Sequence, residues 1–547
     1  MPCPVVRMRP IFSLLFLGLS LQAGPIPTID PDTATRRVQA HATFLANDLM
    51  EGRGTGTRGY QLAAGYVAAQ FAQIGLEPGA DEGGYLQKLS LLESTSDHEA
   101  ARLIVRHAGT ETALTAINDM LAAPAPGQTE AEITAPAVFV GYGVQAPKLG
   151  HDDFGDLDLT GKIAVVLSGA PAQFPSNQRA HYSSGRTKND ALVARGAVGV
   201  VSILTPLDES RSPWAIVVAS SRFPGMRLLA ADGGVVGGHP SLLARGTVRH
   251  AAAAPLFAHS GRTPEEVFAT ATRGEPQAFD LGVEITLGGR ASLRPLACHN
   301  VLGWLPGSDP ALAGEPVVIT GHLDHLGMGA PVEGDAIYNG AMDNAIGIGI
   351  ILALAEELAA GPRPARPVLF AALTAEEKGL LGAEHLATNP PARVRRFAAN
   401  VNIDMALFSR PVRDIVAWGE EHTTLGALVH AAAAGTGFTV SPDFMPQETI
   451  FVRSDQYAFV RTGVPAVFIS TGQRSDDPAV DLAAAWSDFL RGRYHKPNDD
   501  LNQPIDWPST GAYTAFAQAL VRSIADDPAP PAWLPGDFFG GLYGGEK

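Results

Sequence analysis

From Asp280 onward the chain alternates short apolar, strand-like runs with helical ones, and this alternation narrows the fold more than any other feature. HNVLGWLP and PVVIT read as strands, a helix opens after Asp343, and the strand PVLFAAL leads into the helical GLLGAEHLAT. FAANVNIDM and DIVAWG then precede the helix LGALVHAAAAG, and PAVFIST precedes the final helix TGAYTAFAQALVRSIA. Strands this short and this continuously apolar are buried on both faces, with the intervening helices as cover. The expectation is an α/β fold with a mostly parallel central sheet covered by helices on both faces. In such sheets ligands bind beyond the carboxyl ends of the strands. Polar residues at those ends are therefore the candidates for function.

A chain of 547 residues implies more than one domain. Thr33 to Gly75 is helical in pattern, and residues 30–84 are assigned to an N-terminal helical part of the main domain. Within it MEGRGTGTRG has neither a preceding strand nor a GK[ST] ending, so it reads as a connector between two helices. Residues 85–280 differ in texture. Runs such as ARLIVRH, GKIAVVLSG and WAIVVAS look like strands punctuated by Gly, Pro, Asp and Ser, which suggests an inserted β-rich domain. The carboxylate-rich HDDFGDLDLTGK inside it lacks the spacing of a calcium loop and reads as a solvated turn. The main domain resumes over 281–526, and the Pro- and Gly-rich tail, 527–547, is expected to hang loose.

At the other end, Arg7 and Arg9 precede an apolar run from Ile11 to Leu21, with Ala23-Gly24 after it. This is the pattern of a secretory signal, assigned to residues 1–23, and the run is too short to span a membrane comfortably. A periplasmic or secreted location follows as an expectation. A net charge of -16 without a long basic run disfavours nucleic acid and anionic membrane surfaces as partners.

Polar residues do collect where the strands end. The run from Val317 to Thr320 delivers His322, Asp324 and His325 into a loop. Asp343 lies among small residues in NGAMDNAIG, Glu376-Glu377 follow PVLFAAL, Asp404 closes NVNIDM and His495 lies in RYHKPNDD. Taken singly each has an ordinary explanation: adjacent acids often sit at helix starts, and a strand-end Asp is usually a turn residue. Several acids crowded at one sheet edge repel one another unless a cation neutralises them. Imidazole and carboxylate together suit a metal such as zinc.

The order HLD, GAMDN, AEE, NIDM and YH resembles that of the co-catalytic di-zinc exopeptidases, metallopeptidase family twenty-eight, which includes bacterial leucyl-type aminopeptidases and glutamate carboxypeptidase II. The resemblance implies a zinc-exopeptidase-like fold with residues 85–280 as a protease-associated domain. It implies two Zn²⁺ per chain, with His322 and Asp404 on one ion, Glu377 and His495 on the other, and Asp343 bridging. Glu376 would be the general base, Asp324 would orient His322, and Tyr494 would help hold the oxyanion. Met342 stands where many members carry a second Asp, and Ile346 where a Ser is common; neither is a ligand position. The implied activity is a zinc-dependent aminopeptidase hydrolysing N-terminal residues from peptide substrates through a hydroxide activated by two zincs. The alternatives are a glutamate carboxypeptidase II-type carboxypeptidase, which needs cationic groups to fix a C-terminal carboxylate and has Arg453 and Arg461 in the right region, a glutaminyl cyclase, or a non-enzymatic receptor-like protein.

Overall fold

The computed structural model describes residues 29–81 and 83–545. The leader-like segment 1–23 lies outside the described residues. The strands expected from the sequence form the centre of the main domain. Val317–His322 runs parallel to Val368–Leu373 on one side and to Ala399–Ile403 on the other, and Ala466–Thr471 continues the parallel set. Antiparallel partners flank it, the end of Phe279–Leu305 beside Val368–Leu373 and Asp414–Trp418 beside Ala466–Thr471.

These central strands are buried along their whole length, and the alternation of their side chains feeds two cores. Val317 and Ile319 enter a large core with residues of helices Pro31–Leu45, Arg58–Ile74, Ile346–Ala360 and Trp507–Asp526. Val318, Leu369 and Leu373 enter a smaller one with Leu386 and Phe459, from helices Leu381–Thr388 and Gln456–Val460. Helices therefore cover both faces, as the sequence suggests. Ile346–Ala360 is apolar almost all round and is sequestered accordingly.

The inserted unit is joined to this sheet rather than hung from it. Leu86–His107 and Phe279–Leu305, 22 and 27 residues long, pair antiparallel and carry the same continuous sheet from the main domain into the inserted unit. Phe279–Leu305 pairs there with Glu130–Phe139, and parallel strands Ile163–Leu167, Gly199–Ile203 and Ala244–Val248 follow. The unit has its own apolar core, including Phe139, Val165 and Ile285. It is more helical than its strand-like texture suggests. WAIVVAS is part of the helix Trp214–Ser221, which begins directly after Pro213 and is anchored by buried Trp214, whose Nε1–H donates to the Ile117 carbonyl at 2.7 Å.

The tail also differs from the sequence expectation. Rather than hanging loose, it packs: Phe539 is fully buried, and Trp533 Nε1–H donates to the Gly463 carbonyl at 2.9 Å. His422 of the main domain donates from Nδ1 to Asp537 at 2.6 Å and accepts at Nε2 from Asn177 of the inserted unit at 2.9 Å. One imidazole thus ties together three parts of the chain. Pro and Gly content suggests a flexible tail, but a few aromatic anchors decide its behaviour. Replacing Phe539 by alanine should destabilise the protein by about 3–5 kcal/mol, read as a lowered unfolding midpoint, with metal content of the folded protein unchanged. An unaltered midpoint would show that the tail contributes nothing to the fold.

Candidate metal centre

The parallel strands end in register, and this places the candidate residues. His322 closes its strand opposite Leu373, after which Glu376 and Glu377 follow, and Asp404 comes directly after Ile403 of the other neighbouring strand. Asp343 arrives on the turn before helix Ile346–Ala360, and His495 after helix Leu482–Gly492. Gly340 lets that turn pass close: with φ +58°, a Cβ there would lie 2.2 Å from the Asp343 carbonyl oxygen and 2.6 Å from the His325 ring.

All five expected ligands meet, with Asp343 in the middle. Its Oδ1 lies 3.0 Å from His322 Nε2, which is also 3.0 Å from Asp404 Oδ1. Its Oδ2 lies 3.4 Å from His495 Nε2, which is 3.1 Å from Glu377 Oε2. Donor atoms at these separations can surround ions bound at about 2.0–2.2 Å. Glu376 falls in a group with His322 and Glu377 whose potential donor atoms lie within 4.8 Å of one another.

His325 belongs to the site although the ligand set taken from the sequence omits it. It is fully buried, and its Nδ1 stands 2.8 Å from Glu377 Oε1 and 3.8 Å from Asp343 Oδ2. His325 Nδ1, His325 Nε2 and Glu377 Oε1 are buried without a hydrogen-bond partner. An orphaned ring nitrogen and carboxylate oxygen facing one another, as Nδ1 and Oε1 do, fit a cation held by both. The available sequence signal is the second histidine of HLDH, three residues after His322.

The surrounding bonds fix the donors. His322 Nδ1–H donates to the main-chain carbonyl of Asp324 at 2.9 Å, leaving the Nε2 lone pair for a metal. Asp324 therefore meets His322 through its backbone carbonyl, not through its carboxylate. That carboxylate instead accepts the Glu376 N–H at 3.1 Å and the Thr55 hydroxyl at 2.7 Å. Ser454 donates to Asp404 at 2.6 Å, and Asp499 accepts the Met342 and Asp343 amides at 3.0 and 3.1 Å. Asp455, next to Ser454, is fully buried with both carboxylate oxygens unpartnered. Tyr494 stacks on His495, centroids 3.8 Å apart. The backbone is strained at these segments, with φ +55° at Ala375, +36° at Met405 and +58° at His495. Strain of this kind, about 1–3 kcal/mol a residue, persists where surrounding contacts over-determine it, commonly at functional sites.

Residues 300–521, which contain every one of the expected ligands, match the family described as Peptidase family M28. A probable zinc metalloprotease of Pyrenophora teres f. teres (strain 0-1) is 26% identical over 195 residues, 34% of this chain. The match spans 36% of that curated relative's length. The aminopeptidase from Aneurinibacillus sp. strain AM-1 shares the fold at a TM-score of 0.50 and 18% identity, over 93% of this chain and 95% of that one. The zinc aminopeptidase BSAP of Bacillus subtilis aligns at a TM-score of 0.42 and 18% identity, over 90% of this chain and 96% of that one.

In this cluster the metal-free electrostatics are those of imidazolium cations held by carboxylates. Burial alone would lower the His322 pKa, but Asp404 and Asp343 override it and hold it well above the usual range. Burial likewise opposes His495, which Glu377 and Asp343 push up to about 10. Asp343 moves well down despite burial, through His322 and His495. Both imidazoles accordingly carry protons at neutral pH until a metal takes their nitrogens. Zinc uptake by the apoprotein should therefore release roughly two protons from these groups, and affinity should rise with pH across the neutral range. Calorimetry in buffers of different ionisation heat measures this; a heat independent of buffer would contradict it.

Proposed function

We propose that this chain is a secreted or periplasmic zinc-dependent aminopeptidase holding two Zn²⁺ per chain, and that residues 85–280 act as a protease-associated unit bordering its cleft. The observation that carries the reading is Asp343, whose two carboxylate oxygens each face a different imidazole, one with Asp404 and the other with Glu377 beside it. Two zinc ions held there supply Lewis acidity, activating water and polarising a peptide carbonyl.

The chain's own groups complete the chemistry. Burial pushes Glu376 well above the usual carboxylate range, which suits a base that takes a proton from water and gives it to the leaving amine. Glu377 is pulled below its usual value, mainly by His495 and against burial. It stays ionised as a ligand must. Burial keeps the Tyr494 phenol protonated, well above its usual value, so its O–H can donate to an oxyanion. His495, with 34% of its side chain exposed, marks the open side of the centre.

Specificity for a free amino terminus has support in the two arginines that a carboxypeptidase would use. Arg461 lies 3.5 Å from Glu384 and Arg453 lies 3.5 Å from Glu448, so each already has a carboxylate partner. The inserted unit contributes no ligand, but its Arg179 donates to the Pro446 carbonyl at 3.1 Å, on the segment leading to Ser454. That contact supports a role in limiting substrate size.

The adjacent glutamates test the assignment. Glu376→Gln should keep both zincs and lose about 10²–10⁴-fold in turnover on a peptide with a free N-terminus. Glu377→Gln should lose zinc and recover in part when zinc is added in excess. If Glu376→Gln sheds zinc while Glu377→Gln stays loaded and inactive, the roles are reversed. Cleavage of N-acylated peptides from the carboxyl end would favour the carboxypeptidase alternative.

A further inference from the structure

The MEGRGTGTRG loop reads in sequence as a connector, yet it reaches into the metal centre. Arg53 is 1% exposed, and among the described residues no carboxylate lies within ion-pair distance of it. Its guanidinium donates instead to main-chain carbonyls: Leu45 at 2.7 Å, Leu323 at 2.9 Å, Asn339 at 2.6 Å and Gly340 at 2.9 Å. Leu323 lies between His322 and Asp324, and Asn339-Gly340 lead into the turn that carries Asp343. One planar group therefore spans the strand end bearing His322 and the turn bearing the shared carboxylate.

The loop is built to hold the guanidinium there. The His325 amide donates to the Arg53 carbonyl at 3.2 Å, and the Thr55 hydroxyl donates to Asp324 at 2.7 Å. Glu51, Gly52 and Arg53 have φ of +50°, +63° and +49°, consecutive left-handed residues of which two carry side chains. A Cβ at Gly52 would lie 2.4 Å from the Tyr338 carbonyl oxygen, so the loop passes against the strand before Asn339 with no room to spare. Burying a cation is costly, and here main-chain oxygens compensate. Only a planar fork with five N–H groups serves carbonyls on several segments at once; a lysine ammonium offers three donors from one point.

We infer that Arg53, with Thr55, is a positioning residue of the metal centre, setting the spacing between His322 and Asp343 on which metal geometry depends. The inference rests on the two-metal reading above. It extends the functional unit to a loop outside the matched family region.

The test compares wild type with Arg53→Lys, Arg53→Met and Thr55→Val, each checked for folding by circular dichroism. Zinc affinity is measured by competition with a chromophoric chelator, and the cobalt(II)-loaded forms by visible absorption. Folded Arg53 variants should bind zinc about 10–100-fold more weakly and show a shifted cobalt spectrum, with kcat falling more than KM changes. Thr55→Val should move both readouts the same way to a lesser extent, and it decides the matter if the Arg53 variants do not fold. Variants with a lowered unfolding midpoint but wild-type zinc affinity and cobalt spectrum would overturn the inference, since Arg53 would then only support the fold. A wild type that binds no metal would instead overturn the two-metal reading, and this inference with it.

Discussion

Carboxylates buried together at one sheet edge repel each other, and the arrangement stands only if cations answer them. Asp343, Glu377 and Asp404 are answered by imidazoles at contact distance. Asp324 is pushed up to about 6 by burial, and burial moves Asp455 well above its usual range. A site that holds its acids this close, with Asp455 and one oxygen of Glu377 left without hydrogen-bond partners, is arranged around positive charge. A metal ion held by these residues would satisfy that requirement.

The fold makes the crowding achievable. Parallel strands that end in register place His322, Asp404 and the two glutamates at neighbouring points, while helices on both faces keep water from the sheet itself. Tertiary bonds then bring in the remote candidate ligands. Asp499 holds the amides of Met342 and Asp343 and so links the His495 segment to the shared carboxylate, while Asn344 donates to the Ile403 carbonyl at 2.9 Å beside Asp404. Rigid strand ends and strained turns thus divide the work of fixing donor geometry.

Sequence made the strand ends legible because apolar runs stop abruptly at His322, before Glu376 and at Asp404, and periodicity marks where those runs lie. His325 was harder to assign, because its role depends on how the loop after His322 turns, which spacing does not determine. The two possible acceptors of Asp324, carboxylate and carbonyl, are indistinguishable by residue type. Arg53 contacts a carbonyl 270 residues away in the chain, and a Gly-rich loop carries no local sign of such a partner. The tail misleads for a related reason: its Pro and Gly content speaks for the unfolded chain, while Trp533 and Phe539 decide where it packs. WAIVVAS carries strand-like residues but folds as a helix after Pro213, a case of tertiary context overriding β-propensity.

The central claim is that Asp343 is shared between two metal ions. Anomalous diffraction at the zinc edge from crystals of the zinc-loaded protein tests it most directly. Two peaks about 3.5–4 Å apart, one on the His322–Asp404 side of Asp343 and one on the His495–Glu377 side, are the expected result. A single peak, or a zinc bound away from Asp343, would contradict it.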